Sequence, residues 1–152
     1  MGSIIFRLFN KIKLHIYSLQ FAHSPTKGNE YYLYGGFDLI HASNFHFGDG
    51  LSVNSNVYIN ARSKIILGRN VALSNGAMLI TTGLSFTEKG LGGHITKEII
   101  IGDNVQVGAG SIILQGVSIC SNVIVGAGSV VSRSIEEPGI YVGSPAKILE
   151  KK

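Results

Sequence analysis

The chain has 152 residues, enough for one domain with its own core, and 45% hydrophobic against 14% charged residues is too apolar for a disordered tether. A formal charge of +4, unevenly spread and without a basic run interleaved with aromatics, argues against a nucleic-acid binder and leaves room for an anionic ligand or surface. The single cysteine, Cys120, excludes an internal disulfide framework, which fits a reducing cytoplasm.

The first element is predicted from Ile5, Leu8, Phe9, Ile12, Ile16 and Leu19, which recur at helical spacing while Arg7, Lys11 and Lys13 share the remaining surface. This pattern predicts a basic amphipathic helix over about residues 3–22. Its charges break every apolar stretch well short of the roughly 20 residues a membrane span needs. No small-residue cleavage site follows a clean apolar core, so it does not read as a signal peptide. Phe6 stands where a myristoylation signal wants Ser or Thr. Two roles stay open: packing against the rest of the fold, or peripheral contact with a membrane at its inner face. A turn-rich connector, Ser24-Pro25-Thr26-Lys27-Gly28-Asn29, leads to Tyr31-Tyr32-Leu33-Tyr34, tyrosines expected to cover an open end of the fold. Residues 1–34 thus form an N-terminal unit of helix and connector.

From about residue 35 to 135 the apolar period is six. Phe47, Val53, Ile59 and Ile65 head hexads, and Leu67, Leu73 and Leu79 continue after a register shift of two. Ile101, Val107, Ile113, Ile119, Val125 and Val131 then follow without a break. Neither a helix nor a plain strand repeats at six; a coil that turns a corner every six residues does, and such hexads signal a parallel β-helix. The apolar residue points into a narrow prism, and Gly, Asn or Asp near the corner tolerates the left-handed backbone of a sharp bend. Cys120 occupies a small-residue position and reads as a packed thiol.

The repeat fails once. Leu79 and Ile101 lie 22 positions apart, three hexads plus four residues, so an excursion is expected at about 81–98. It holds a single histidine, His94, behind Gly92 and Gly93. Loops projecting from a rigid scaffold are favoured places for function, and an imidazole suits proton abstraction near neutral pH.

The hexads, the ending Gly126-Ala127-Gly128-Ser129-Val130-Val131-Ser132-Arg133 and the closing Gly143-Ser144-Pro145-Ala146-Lys147 within residues 136–152 resemble the hexapeptide-repeat acyltransferases, in particular the sugar and polysaccharide O-acetyltransferases. The resemblance covers residues 47 to 150 or so. It implies an all-β, left-handed parallel β-helix, a homotrimer with sites between neighbouring protomers, and acetyl-CoA as acyl donor. The implied function is O-acetylation of a bacterial cell-surface saccharide (capsule, O-antigen or exopolysaccharide) or its precursor, in the cytoplasm.

The resemblance also assigns roles. His94 is the implied general base, taking the acceptor's proton while the oxygen attacks the thioester, without an acyl-enzyme. Asn54, thirteen residues before Leu67-Gly68-Arg69-Asn70, corresponds to an acceptor-holding asparagine. Ala109 and Ala127 correspond to small residues along the pantetheine arm, and Arg133 and Lys147 to cations that meet the coenzyme A phosphates. One position departs: after Thr82-Gly83 the galactoside and maltose enzymes keep their histidine, and here the residue is Leu84. Alternatives are N-acetylation of an amino-sugar nucleotide, an inactive trimeric scaffold motivated by Leu84, and a zinc protein of the γ-carbonic-anhydrase kind using His41, His46 and His94.

Overall fold

Each turn of the chain contributes short strands whose alternate residues are buried, as in Phe45 and Phe47, Leu51 and Val53, Ile65 and Leu67, or Val123 and Val125. The computed structural model describes residues 11–149; Ile5, Arg7, Leu8 and Phe9 of the expected helix lie outside them. The strands stack in parallel into three faces. The first holds Tyr31–Leu33, Leu51–Val53, Ala72–Leu73, Gln106–Val107, Val123–Val125 and Gly139–Val142. The second holds Asp38–Ile40, Tyr58–Asn60, Met78–Ile80, Ile112–Ile113 and Val130–Val131. The third holds Phe45–Phe47, Ile65–Leu67, Ile99–Ile101 and Ser118–Ile119, with Ile135 bridging to Ile119 below. The expected parallel β-helix is the fold, and its core is the aliphatic column inside the prism.

Register explains the irregular spacing. Ile101 pairs with Ile119, 18 residues or three hexads on, whereas Phe47 pairs with Leu67, 20 residues on. The two extra residues sit in the corner Ala61-Arg62-Ser63-Lys64, which is the source of the shift in the sequence pattern. Asn56, Asn70, Asn104 and Asn122 take left-handed corner conformations, φ between 55° and 63°. Three of them form a ladder: Asn70 Nδ2 donates to Asn104 Oδ1 at 3.1 Å, and Asn104 Nδ2 to Asn122 Oδ1 at 3.2 Å. Asn suits this corner because its short side chain tolerates the conformation and bonds to the coil above or below. Cys120 is half-buried and packs against the core.

The first coil starts at Tyr31, which pairs with Leu51, four residues ahead of the expected boundary. Tyr31 and Tyr32 therefore belong to a strand of the first face, Tyr34 follows it, and Tyr32 and Tyr34 stay exposed. The open end is plugged instead by fully buried Phe21, whose ring lies 4.8 Å from Phe47, 5.3 Å from Phe37 and 5.3 Å edge-on from Tyr31. Residues 11–18 are helical and Leu19–His23 tighten into a 3₁₀ turn that delivers Phe21. Gln20 fixes the roll of this segment, donating from Nε2 to the Phe37 carbonyl and accepting from the Leu39 amide, both at 2.9 Å. At the other end Lys147–Ile148 turns back antiparallel on Gly139–Val142.

Candidate active site

The excursion is a two-stranded antiparallel hairpin, Thr82–Thr87 with Gly90–Thr96, leaving the prism at the edge between the second and third faces. Its root is tied to the coils: buried Thr81 donates from Oγ1 to the Asn60 carbonyl at 2.8 Å and accepts from the Ser63 amide at 3.0 Å. The Lys97 amide closes the root on the Thr81 carbonyl at 3.0 Å.

Within the hairpin the decisive feature is a β-bulge. Leu91 pairs with Phe86 and His94 with Leu84, so Gly92 and Gly93 together oppose Ser85. Ser85 Oγ donates to the Gly93 carbonyl at 3.1 Å across the bulge. Leu91 and His94 are three apart and would alternate between faces in a regular strand; the extra residue brings both to one face. That face carries Leu84, Phe86, Leu91 and His94, with the three apolar side chains 52%, 84% and 73% exposed. The opposite face turns toward its own prism, since a Cβ at Gly83 would come within 2.9 Å of Gln115 Cδ in the next coil. His94 therefore projects outward from the protomer, exposed, directly opposite Leu84. Glu88 lies at the hairpin tip and Glu98 beyond its root, and neither hydrogen-bonds to the imidazole.

The other expected site residues divide between two edges. Asn54, Ala109 and Ala127 follow aligned strands of the first face and line the edge between the first and second faces. The Gly128 amide bonding the Ala109 carbonyl at 2.8 Å confirms the stacking. Asn54 is half-buried and donates from Nδ2 to the Leu73 carbonyl at 3.3 Å, bracing its corner, while no described residue hydrogen-bonds to its Oδ1. Ala109 and Ala127 are exposed, and their coils are tightly spaced: a Cβ at Gly108 would stand 2.5 Å from the Val125 carbonyl oxygen. Lys147, exposed, closes the lower end of this edge opposite Val142. Arg133, also exposed, lies instead at the hairpin's edge, two coils below it and so about 10 Å down the axis. One protomer thus separates Asn54, Ala109, Ala127 and Lys147 from His94 and Arg133. Gln115 escapes sequence reasoning, because a polar corner residue looks the same whether or not a hairpin root packs on it.

Among the described residues the one ion pair lies at the third edge. Arg69 Nη2 stands 2.7 Å from Asp103 Oδ2, and the Arg69 amide also donates to Asp103 Oδ1 at 2.8 Å. These bonds hold the Asp103 carboxyl below its ordinary range, the backbone bond contributing most. Among the described residues no three His, Cys, Asp or Glu side chains cluster closely enough to share a metal ion, so the zinc alternative finds no ligand set there.

Residues 98–133 match the bacterial transferase hexapeptide family, described as six repeats. A hexapeptide-repeat-containing acetyltransferase of Vibrio cholerae superposes with TM-score 0.78 at 26% identity, covering 91% of this chain and 80% of its own. Its acetyl coenzyme A complex, from the O1 biovar eltor, superposes at 0.80 with 27% identity, covering 88% and 74%. A maltose O-acetyltransferase of Clostridium difficile 630 shares the fold at TM-score 0.77 and 24% identity, covering 95% and 88%. No curated protein sequence matches at a significant level. The expected resemblance is met, and the repeat is that of the left-handed β-helix.

Proposed function

We propose that this chain is a hexapeptide-repeat acyltransferase that moves the acetyl group of acetyl-CoA onto a hydroxyl of a cell-surface saccharide or its precursor, at sites built between neighbouring copies of a homotrimer. His94 takes the hydroxyl proton as the oxygen bonds to the thioester carbonyl carbon. Collapse of the tetrahedral intermediate breaks the C–S bond, and the imidazolium returns its proton to the departing thiolate of coenzyme A. The ester and free coenzyme A leave, so no acyl-enzyme forms.

The observation that carries this reading is the pairing of His94 with Leu84 on the outward face of the hairpin. Directly opposed residues hold their Cβ atoms about 4.5–5.5 Å apart, so the imidazole serves the space a histidine at 84 would serve. Leu84 therefore gives no support to an inactive scaffold. The division of the other residues between two edges supports sites shared by copies: an outward His94 of one protomer meets the Asn54–Ala109–Ala127 edge of another. In that arrangement Ala109 and Ala127 leave room for the pantetheine arm, Lys147 and Arg133 meet phosphates, and the free Oδ1 of Asn54 accepts from the acceptor sugar. Acetyl-CoA as donor is supported by the liganded V. cholerae relative. A soluble coenzyme A thioester as donor supports a cytoplasmic reaction.

The test is thiol release from acetyl-CoA over a panel of saccharides and amino-sugar nucleotides. Turnover with a hydroxyl acceptor is expected, and Ala127→Trp should raise KM for acetyl-CoA at least tenfold. Turnover with amino sugars alone would overturn O-acetylation, and an unchanged KM would overturn the assigned groove.

A further inference from the structure

The segment that plugs the prism has a second face, diametrically opposite the first. Leu14, Tyr17 and Phe21 turn toward the coils, whereas Ile12, Ile16 and Leu19, at i, i+4 and i+7, are 52%, 56% and 54% exposed. The two Gln20 bonds lock the roll, so the stripe cannot rotate inward to find cover. Exposed Lys11 and His15 flank it on one side and Lys13 on the other, on the helical wheel of residues 11–18. Lys13 shares a shallow groove with Tyr17, Gly35 and Tyr34, and Tyr34 is itself exposed beside the helix.

Charge decides what covers this surface. Residues 1–29 contain Arg7, Lys11, Lys13 and Lys27 and no acidic residue, the first being Glu30. The remaining 9 of 13 cations balance all 9 acidic residues, so the whole formal excess of +4 belongs to this end of the chain. A self-association face between like-charged copies would concentrate that excess, whereas an anionic lipid surface neutralises it. A basic helix with an apolar stripe lies in the plane of the headgroups, and tyrosines favour that boundary. No helix among the described residues is long and apolar enough to cross a membrane, so the mode is peripheral.

We propose that the N-terminal helix docks the protein onto an anionic bilayer, with Ile12, Ile16 and Leu19 inserted at the headgroup–acyl boundary and Lys11 and Lys13 against lipid phosphates. The inference is independent of the reaction assigned to the hairpin. Its test is co-sedimentation of the full chain with phosphatidylcholine vesicles, with and without phosphatidylglycerol, at low and high salt. The wild type should partition onto the anionic vesicles only, and salt should release it. Neutralising Lys11→Gln with Lys13→Gln should lower the partition constant about 30-fold, at about 1 kcal/mol per cation near the surface. Ile12→Asp with Ile16→Asp should abolish binding while leaving thermal unfolding and thiol release in solution unchanged. Equal binding to neutral vesicles, no binding, or binding unaffected by either pair would overturn the proposal. So would dissociation of the assembly by the Ile pair, which would make the stripe an interface between copies.

Discussion

The pairing of His94 with Leu84 makes the assignment of the base testable by moving it. His94→Ala removes the imidazole and should lower turnover by about 10²- to 10⁴-fold, equivalent to about 2.7–5.4 kcal/mol of barrier. Adding Leu84→His puts an imidazole on the same face from the directly opposite position, with its Cβ about 5 Å from that of the original. A rotamer change closes most of that gap, and a residual misplacement of about 1 Å still costs about 100-fold. The double variant should therefore regain about tenfold over His94→Ala. Ile95→His in the His94→Ala background is the control, because Ile95 pairs with Gly83 on the face turned toward the prism, and it should regain nothing. Stopped thiol-release assays at saturating acetyl-CoA separate the three. Full activity in His94→Ala, or equal recovery from positions 84 and 95, would refute the reasoning.

Two further outcomes follow from the frame. Phe21→Ala opens the aromatic plug and should cost about 3–5 kcal/mol in urea unfolding, since a fully buried ring is lost beneath an anchored turn. Asp103 titrates below its ordinary range because the Arg69 amide, and then its guanidinium, donate hydrogen bonds to the carboxylate, so the native state gains stability above the unfolded carboxylate range near pH 4. That contribution disappears as pH falls through the lower folded value. Asp103→Asn should therefore lower Tm at neutral pH, lose less on acidification than the wild type, and leave turnover unchanged, its edge being remote from the hairpin.

The period of six makes the prism legible in the sequence because each apolar residue has one destination, the interior, and each corner recruits Gly or Asn for its backbone. Even the interruption shows, as a miscount between Leu79 and Ile101. What the period does not encode is how the inserted segment folds: its bulge depends on which residues pair across the hairpin, and Gly92-Gly93 reads equally well as mobility. Hence Leu84 looks in sequence like a lost base, and only cross-strand register brings it beside His94. The plug escaped for a related reason. Phe21 and the tyrosines are both aromatic and both near the first coil, and the choice between them rests on Tyr31 finding Leu51 as a strand partner. The edges to which Asn54, Ala127 and Arg133 belong follow from stacking, so their separation within one protomer is invisible in linear order.

That separation is the centre of the account, and mixing two impaired variants tests it most directly. His94→Ala abolishes the hairpin's contribution, and Ala127→Trp blocks the opposite edge. Each alone should turn over at no more than about a tenth of the wild-type rate at limiting acetyl-CoA. Co-refolded in equal amounts, they should recover roughly a quarter of wild-type turnover, because random pairing leaves both halves of about one interface in four intact. No recovery in a mixture shown to contain mixed assemblies would contradict the account, placing His94 and Ala127 in the service of one protomer's site.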